Sequence, residues 1–247
     1  VSKKLYCYRN SDKNLYDQML DDYEPGMTQE KYDVFFTALK ERLVPLIQKV
    51  TKAKQKNEAF LHQEFPIEDQ KKFMIQLLAY LHFDSSWGYQ NESEHPFTSW
   101  TCENDCRTTT KYVTNDVVSA VLSTVHEVGH AYYEHNVDPK YDGMILSEGI
   151  SSGMHESQSR LCENYLARTT AFWKYHYPKL QEAFPTQLGN VSIEEFYEAI
   201  NVAKPSFVRT EADELTYPLH ILVRYEIEKG LFNGIISTEG LNETWNK

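Results

Sequence analysis

The sequence predicts a mainly α-helical protein with one small β-hairpin or sheet near residues 95–113. Three observations support that class. Apolar residues recur at helical spacing along most of the chain. Capping signals stand where those periodic stretches begin. One polar, Thr- and Ser-rich stretch, Ser85 to Tyr112, interrupts the pattern and contains Gly88 and Pro96. No internal repeat or low-complexity linker divides the 247 residues, so one domain spanning 1–247 is the expected organisation.

The elements follow in order. Phe36, Leu39, Leu43, Ile47 and Val50 share one helical face, and Thr28 is placed to cap that helix. Pro45 is expected to kink or restart it, because proline removes a backbone donor and clashes with the preceding turn. Phe73, Leu77, Leu78 and Leu81 mark a second helix beginning near Ile67. Arg107 to Val113, rich in Thr, favours a short strand. Ser192 followed by Glu195 forms a capping box ahead of Phe196, Ala199 and Ile200. A last helix is expected from about Asp213 past Ile227, ending near Gly230. Phe172, Trp173, Tyr175 and Tyr177 read as core or interface rather than as a substrate box.

Composition narrows the function classes. With 41% hydrophobic and 13% aromatic residues the chain can bury a large core. The net charge of −11 argues against nucleic acid as a partner, since phosphate binding draws on a basic surface. No apolar run approaches the roughly 20 residues that cross a bilayer, so no membrane partner is expected. The first residues, Val1 to Tyr6, lack the apolar stretch of a secretory signal, and Cys7, Cys102, Cys106 and Cys162 do not make a disulfide framework. A cytoplasmic location with reduced thiols is the expectation. A chain beginning at Val1 reads as a fragment or a processed product.

The informative segment is His126-Glu127-Val128-Gly129-His130. Two histidines four apart lie on one face of a helix, roughly 6 Å apart along its axis, and both imidazoles can reach one divalent ion. Glu127 stands beside that face as a general base for a metal-activated water. Chance is a weak rival: nine His in a chain of this composition give roughly 0.03 expected matches to the pattern. A catalytic zinc takes three protein ligands, and spacing leaves Glu148, Glu156 and Glu163 open for the third. The dense polar cluster Gly153 to Arg160 favours Glu156.

Several motifs in order then resemble the carboxypeptidase Taq family of zinc carboxypeptidases. They are His95-Pro96-Phe97, Asp105-Cys106-Arg107-Thr108-Thr109, the His126 to His130 segment, His155-Glu156-Ser157-Gln158, and Val208-Arg209-Thr210-Glu211-Ala212-Asp213. Leu20 to Met27 is also similar. The resemblance implies that His126, His130 and Glu156 bind the metal and that Glu127 is the catalytic base. It implies a helical peptidase fold with a deep groove, the small sheet lying beside it, and a homodimer. Arg209 is implied to bind the substrate's C-terminal carboxylate, a task suited to a two-pronged guanidinium. Members of that family are longer, and a further motif ending in Asp-x-His-Trp and a Tyr-rich segment are not in this sequence. The chain therefore corresponds to the catalytic middle of a member.

Other residues in those motifs have weaker assignments. His95, His155 and Arg107 are candidates for substrate contact, with Arg107 alternatively paired to Asp105. Gln158 is a candidate to orient Glu156, and Asp213 either orients Arg209 or caps the next helix. The expected cofactor is Zn²⁺, with Co²⁺ as the alternative that three nitrogen and oxygen donors do not separate from it. The expected function is a metal-dependent carboxypeptidase acting on peptides with a free C-terminus. Two other readings are a zinc endopeptidase or dipeptidase, which would not need Arg209, and a truncated relative that binds zinc without turnover.

Overall fold

A computed structural model describes residues 1–9, 12–102 and 104–246. In chain order the helices are α1 Ser2–Cys7, α2 Leu15–Tyr23, α3 Gln29–Thr51, α4 Ile67–Tyr80, α5 Val117–His135, α6 Ser152–Arg160, α7 Thr170–Ala183, α8 Pro185–Leu188, α9 Ile193–Ile200, α10 Tyr217–Phe232 and α11 Leu241–Trp245. The strands are β1 Gly88–Glu92, β2 Thr98–Cys102 and β3 Asp105–Thr110. The mainly helical class with a small sheet is therefore observed. The chain divides into two compact units, residues 1–54 with 203–247, and residues 55–202. Among the described residues no helix is long and apolar enough to cross a membrane.

The first unit is built on aromatic packing. Tyr16 of α2, Phe36 of α3 and Leu222 and Tyr225 of α10 form its buried cluster, with the Phe36 and Tyr225 rings 4.7 Å apart. Thr28 caps α3 as its position suggests, accepting from the Lys31 N–H. The helix runs unbroken through Pro45 rather than restarting there. Helix α10 begins at Tyr217, later than expected, with Pro218 in its first turn, where a missing N–H costs nothing. It continues past Gly230 to Phe232.

The second unit carries the larger core. Phe65, Phe73 and Leu77 meet Val121, Val125, Trp173, Leu180 and Phe196, all buried. Trp173 is fully covered, so the aromatic group on α7 belongs to this core, apart from the half-exposed Tyr175. The capping box at Ser192 and Glu195 starts α9. The sheet has three strands in the order β1-β3-β2. Strand β3 pairs in parallel with β1, Gln90 opposite Thr108, and antiparallel with β2, Thr98 opposite Thr108. The sheet is tied to α5 by Thr110 Oγ1, which donates to the Ala120 carbonyl at 3.3 Å, and by Gln90 Nε2, which donates to Thr124 Oγ1 at 3.2 Å.

Candidate metal centre

Helix α5 is buried around most of its circumference, with Val117, Val121, Val125 and Val128 in the core. Asp116 caps it by accepting the Ser119 N–H at 2.9 Å. Its later turns carry His126, Glu127 and His130. The two imidazoles lie on one side, their centroids 4.9 Å apart and their planes at 79°. Helix α6, capped by Ser151, packs against α5 and delivers Glu156. Glu156 Oε2 lies 3.3 Å from His130 Nε2 and 3.5 Å from His126 Nε2. One donor atom from each of the three residues lies within 4.8 Å of the others, a grouping that could hold a metal ion.

The spacing fits such an ion. Donors placed tetrahedrally at about 2.0–2.2 Å from one centre stand about 3.3–3.6 Å apart, the separation of Glu156 from each imidazole. The far nitrogens of both rings are occupied, which aims the Nε2 atoms at the site. His126 Nδ1 lies 2.8 Å from Glu163 Oε2, and His130 Nδ1 lies 2.6 Å from His155 Nδ1. Outer partners of this kind fix the orientation and tautomer of a ligating histidine.

Glu156 is held as the anion. Burial opposes its charge, but a hydrogen bond from His130, the nearby His126 and the Arg160 guanidinium outweigh it and bring the carboxyl down to about 2. Arg160 Nε donates to Glu156 Oε1 and its NH1 donates to Glu163 Oε2, each at 3.0 Å, so one guanidinium ties both carboxylates. Ser159 Oγ also donates to Glu156 Oε2, at 3.1 Å. Glu163 is lowered from its ordinary value as well: burial works against it, while His126, Arg160 and Arg168 prevail.

Glu127 is 6% exposed. Thr98 Oγ1, on β2, donates to Glu127 Oε2 at 2.6 Å. The sheet thus grips one oxygen of the carboxylate beside the histidine pair.

The other sequence candidates fall as follows. His155 has both ring nitrogens engaged, one with His130 and one with Glu134 Oε1 at 2.6 Å. Gln158 Nε2 donates to Ser157 Oγ at 3.3 Å, whereas Ser159 and Arg160 donate to Glu156. His95 is exposed, with Nδ1 2.6 Å from the Pro96 carbonyl oxygen. Arg107 is exposed and joined to Asp105 by two hydrogen bonds of 2.8 Å. Arg209 and Asp213 lie in the first unit. Arg209 NH1 donates to Tyr217 Oη at 3.0 Å, and Asp213 accepts the N–H groups of Leu215 and Thr216 ahead of α10.

Glu134, Thr98 and Arg160 escaped the sequence reading, and Glu163 entered it only as a rival ligand. Three of them had a readable signal: Glu134 stands four residues after His130, Arg160 four after Glu156, and Glu163 seven after Glu156, all same-face helical spacings. Thr98 had none, because its contact with Glu127 depends on the sheet folding onto α5.

A sequence model described as carboxypeptidase Taq (M32) metallopeptidase matches residues 1–247. Carboxypeptidase 1 of Bacillus subtilis (strain 168) is 43% identical over 247 residues, covering 100% of this chain and 49% of that protein. Thermostable carboxypeptidase 1 of Thermus thermophilus is 40% identical over 232 residues, covering 94% and 45%. The solved structure of M32 carboxypeptidase from Deinococcus radiodurans R1 matches with a TM-score of 0.94 at 36% identity, covering 99% of this chain and 49% of that one. The chain spans about half the length of the curated relatives it matches.

Proposed function

The chain belongs to the carboxypeptidase Taq (M32) metallopeptidase family, and from that premise we propose that it carries the metal ligands and general base of a carboxypeptidase that hydrolyses the C-terminal peptide bond of peptides. The observation that carries this reading is the convergence of His126, His130 and Glu156 within 4.8 Å, beside the buried Glu127. Zn²⁺ is the ion we assign, with Co²⁺ the alternative. When bound, it supplies Lewis acidity toward the scissile carbonyl and acidifies water.

The chain's own residues supply the rest. Two neutral imidazoles and one carboxylate leave a divalent site with net positive charge. Glu127, fixed through Oε2 by the Thr98 hydroxyl, keeps Oε1 for the proton taken from the attacking water and passed to the leaving amine. Arg209, its guanidinium steadied by Tyr217, is assigned to the substrate's free carboxylate. His95 and Arg107 are assigned to the substrate side. His155 supports the ligand His130 through its Nδ1, while Gln158 holds Ser157 and Asp213 caps the start of α10. The reading also includes a cytoplasmic location, and a homodimer as the family resemblance implies.

The test is Glu127→Gln, assayed on peptides with free and amidated C-termini. The amide keeps the side-chain shape and the contact with Thr98. Bound metal is expected to stay stoichiometric while kcat falls by about 10²- to 10⁴-fold, the usual contribution of a positioned base. Turnover at the unaltered rate sinks the assignment of Glu127, and cleavage of amidated peptides as fast as free ones sinks the carboxypeptidase reading.

A further inference from the structure

We propose that Glu134 is a positioning residue for the metal ligand His130, acting through His155; this rests on the metal-centre reading above. The three groups form a continuous hydrogen-bonded line, His130 Nδ1 to His155 Nδ1 and His155 Nε2 to Glu134 Oε1, with both links 2.6 Å long. His130 Nε2 faces Glu156 at the other end.

The direction of this line follows from the ligand. An imidazole that gives its Nε2 lone pair to a cation carries its proton on Nδ1. His130 Nδ1 is therefore the donor and His155 Nδ1 the acceptor. A neutral His155 then holds its own proton on Nε2 and donates it to the Glu134 carboxylate. Each link is determined by the one before it, and no other tautomer of His155 satisfies both neighbours.

The surroundings hold His155 in place for this task. The Tyr133 ring meets the His155 ring edge-on at 5.1 Å. A side chain at residue 149 would fall 2.8 Å from His155 Cδ2 and 2.9 Å from Tyr133 Cε1, so glycine there leaves room for both rings. Glu134 itself is 9% exposed, and its Oε2 is buried without a hydrogen-bond partner. A carboxylate so sealed costs folding free energy unless it is paired, and the bond it makes inside this cluster is to His155 Nε2. Both nitrogens of His155 are spent inside the protein, which favours a role in orienting His130 over direct substrate contact.

The experiment measures Zn²⁺ affinity and release by chelator competition, with no substrate present. The proteins are the unaltered chain, Glu134→Leu, His155→Phe, the double variant and Glu134→Gln. The substitutions preserve volume and remove a buried charge or ring nitrogen, which keeps the fold accessible, and circular dichroism of each protein checks this. Glu134→Leu and His155→Phe are each expected to bind Zn²⁺ about 10- to 100-fold more weakly. The double variant should bind no more weakly than His155→Phe, because Glu134 acts only through that ring. Glu134→Gln should recover most of the loss, since its amide oxygen accepts the same N–H. Two results overturn the proposal: Glu134→Leu within twofold of the unaltered chain, or a Glu134→Leu loss of equal size in the His155→Phe background. An unaltered chain that fails to bind Zn²⁺ overturns the metal-centre reading itself and this proposal with it.

Discussion

Gly129 stands between the two histidines of α5 at the point where α6 crosses. A Cβ there would lie 2.8 Å from Ser159 Cα, 3.0 Å from the Gln158 carbonyl oxygen and 3.1 Å from Cys162 Cβ. Two of those atoms are backbone, which cannot turn aside. Gly129→Ala is therefore expected to push the helices apart, costing about 1–3 kcal/mol in urea unfolding and weakening Zn²⁺ binding, since Glu156 arrives on α6. At this scale the sequence was informative about kind and less so about reason. Spacing alone put His126 and His130 on one face, because i and i+4 neighbours are fixed by the helix itself. Glu156 could not be separated from Glu148 and Glu163 by spacing, since its approach to the pair depends on how α6 packs. The contact of Thr98 with Glu127 is set by the same long-range packing and left no trace in the local pattern, whereas Arg160 meets Glu156 and Glu163 at i+4 and i+3 along its own helix.

The elements show where local rules suffice. Periodicity and capping residues located α3, α4 and α9 because those signals act within one or two turns. Strand β1, Gly-Tyr-Gln-Asn-Glu, was not foreseen: it is polar, and it is ordered by parallel pairing with β3. Beyond α6 the chain continues through Leu161–Ala167 in wider π turns. Helix α4 closes with a Schellman motif, the Phe83 N–H donating to the Leu78 carbonyl and the His82 N–H to that of Ala79. His82 occupies the left-handed position with φ of 50°, where a Cβ is crowded and glycine is at ease. His82→Gly should thus raise stability by about 0.5–1 kcal/mol, read as a higher urea midpoint at unchanged slope. A lower midpoint would show that the histidine side chain contributes more than its backbone costs.

For the molecule as a whole, acid sensitivity is the property that the interior sets. His176 on α7 is 2% exposed, packed against Tyr80 and Phe172, and its Nε2 has no hydrogen-bond partner. Burial, helped by Lys179, pulls it down to about 4 from its ordinary 6.5. As pH falls the unfolded chain binds this proton first, so stability drops between about 6.5 and 4 and is intact above that window. The loss expected from this residue between pH 7 and pH 5 is about 2 kcal/mol, and His176→Phe should remove it. Glu156 and Glu163 are depressed from an ordinary 4.5, so their contribution is present above that value and disappears only at lower pH, outside this comparison. Urea curves of both proteins at the two pH values check it, and equal acid losses would show that His176 is not the sensor. The same enclosure has a consequence for α5. Its backbone is covered by the sheet, by α6 and by the core of the second unit. Its amide protons are expected to exchange with deuterium mainly when that unit opens as a whole, which would place the ligand-bearing turns among the slowest-exchanging parts of the chain in a hydrogen-exchange time course.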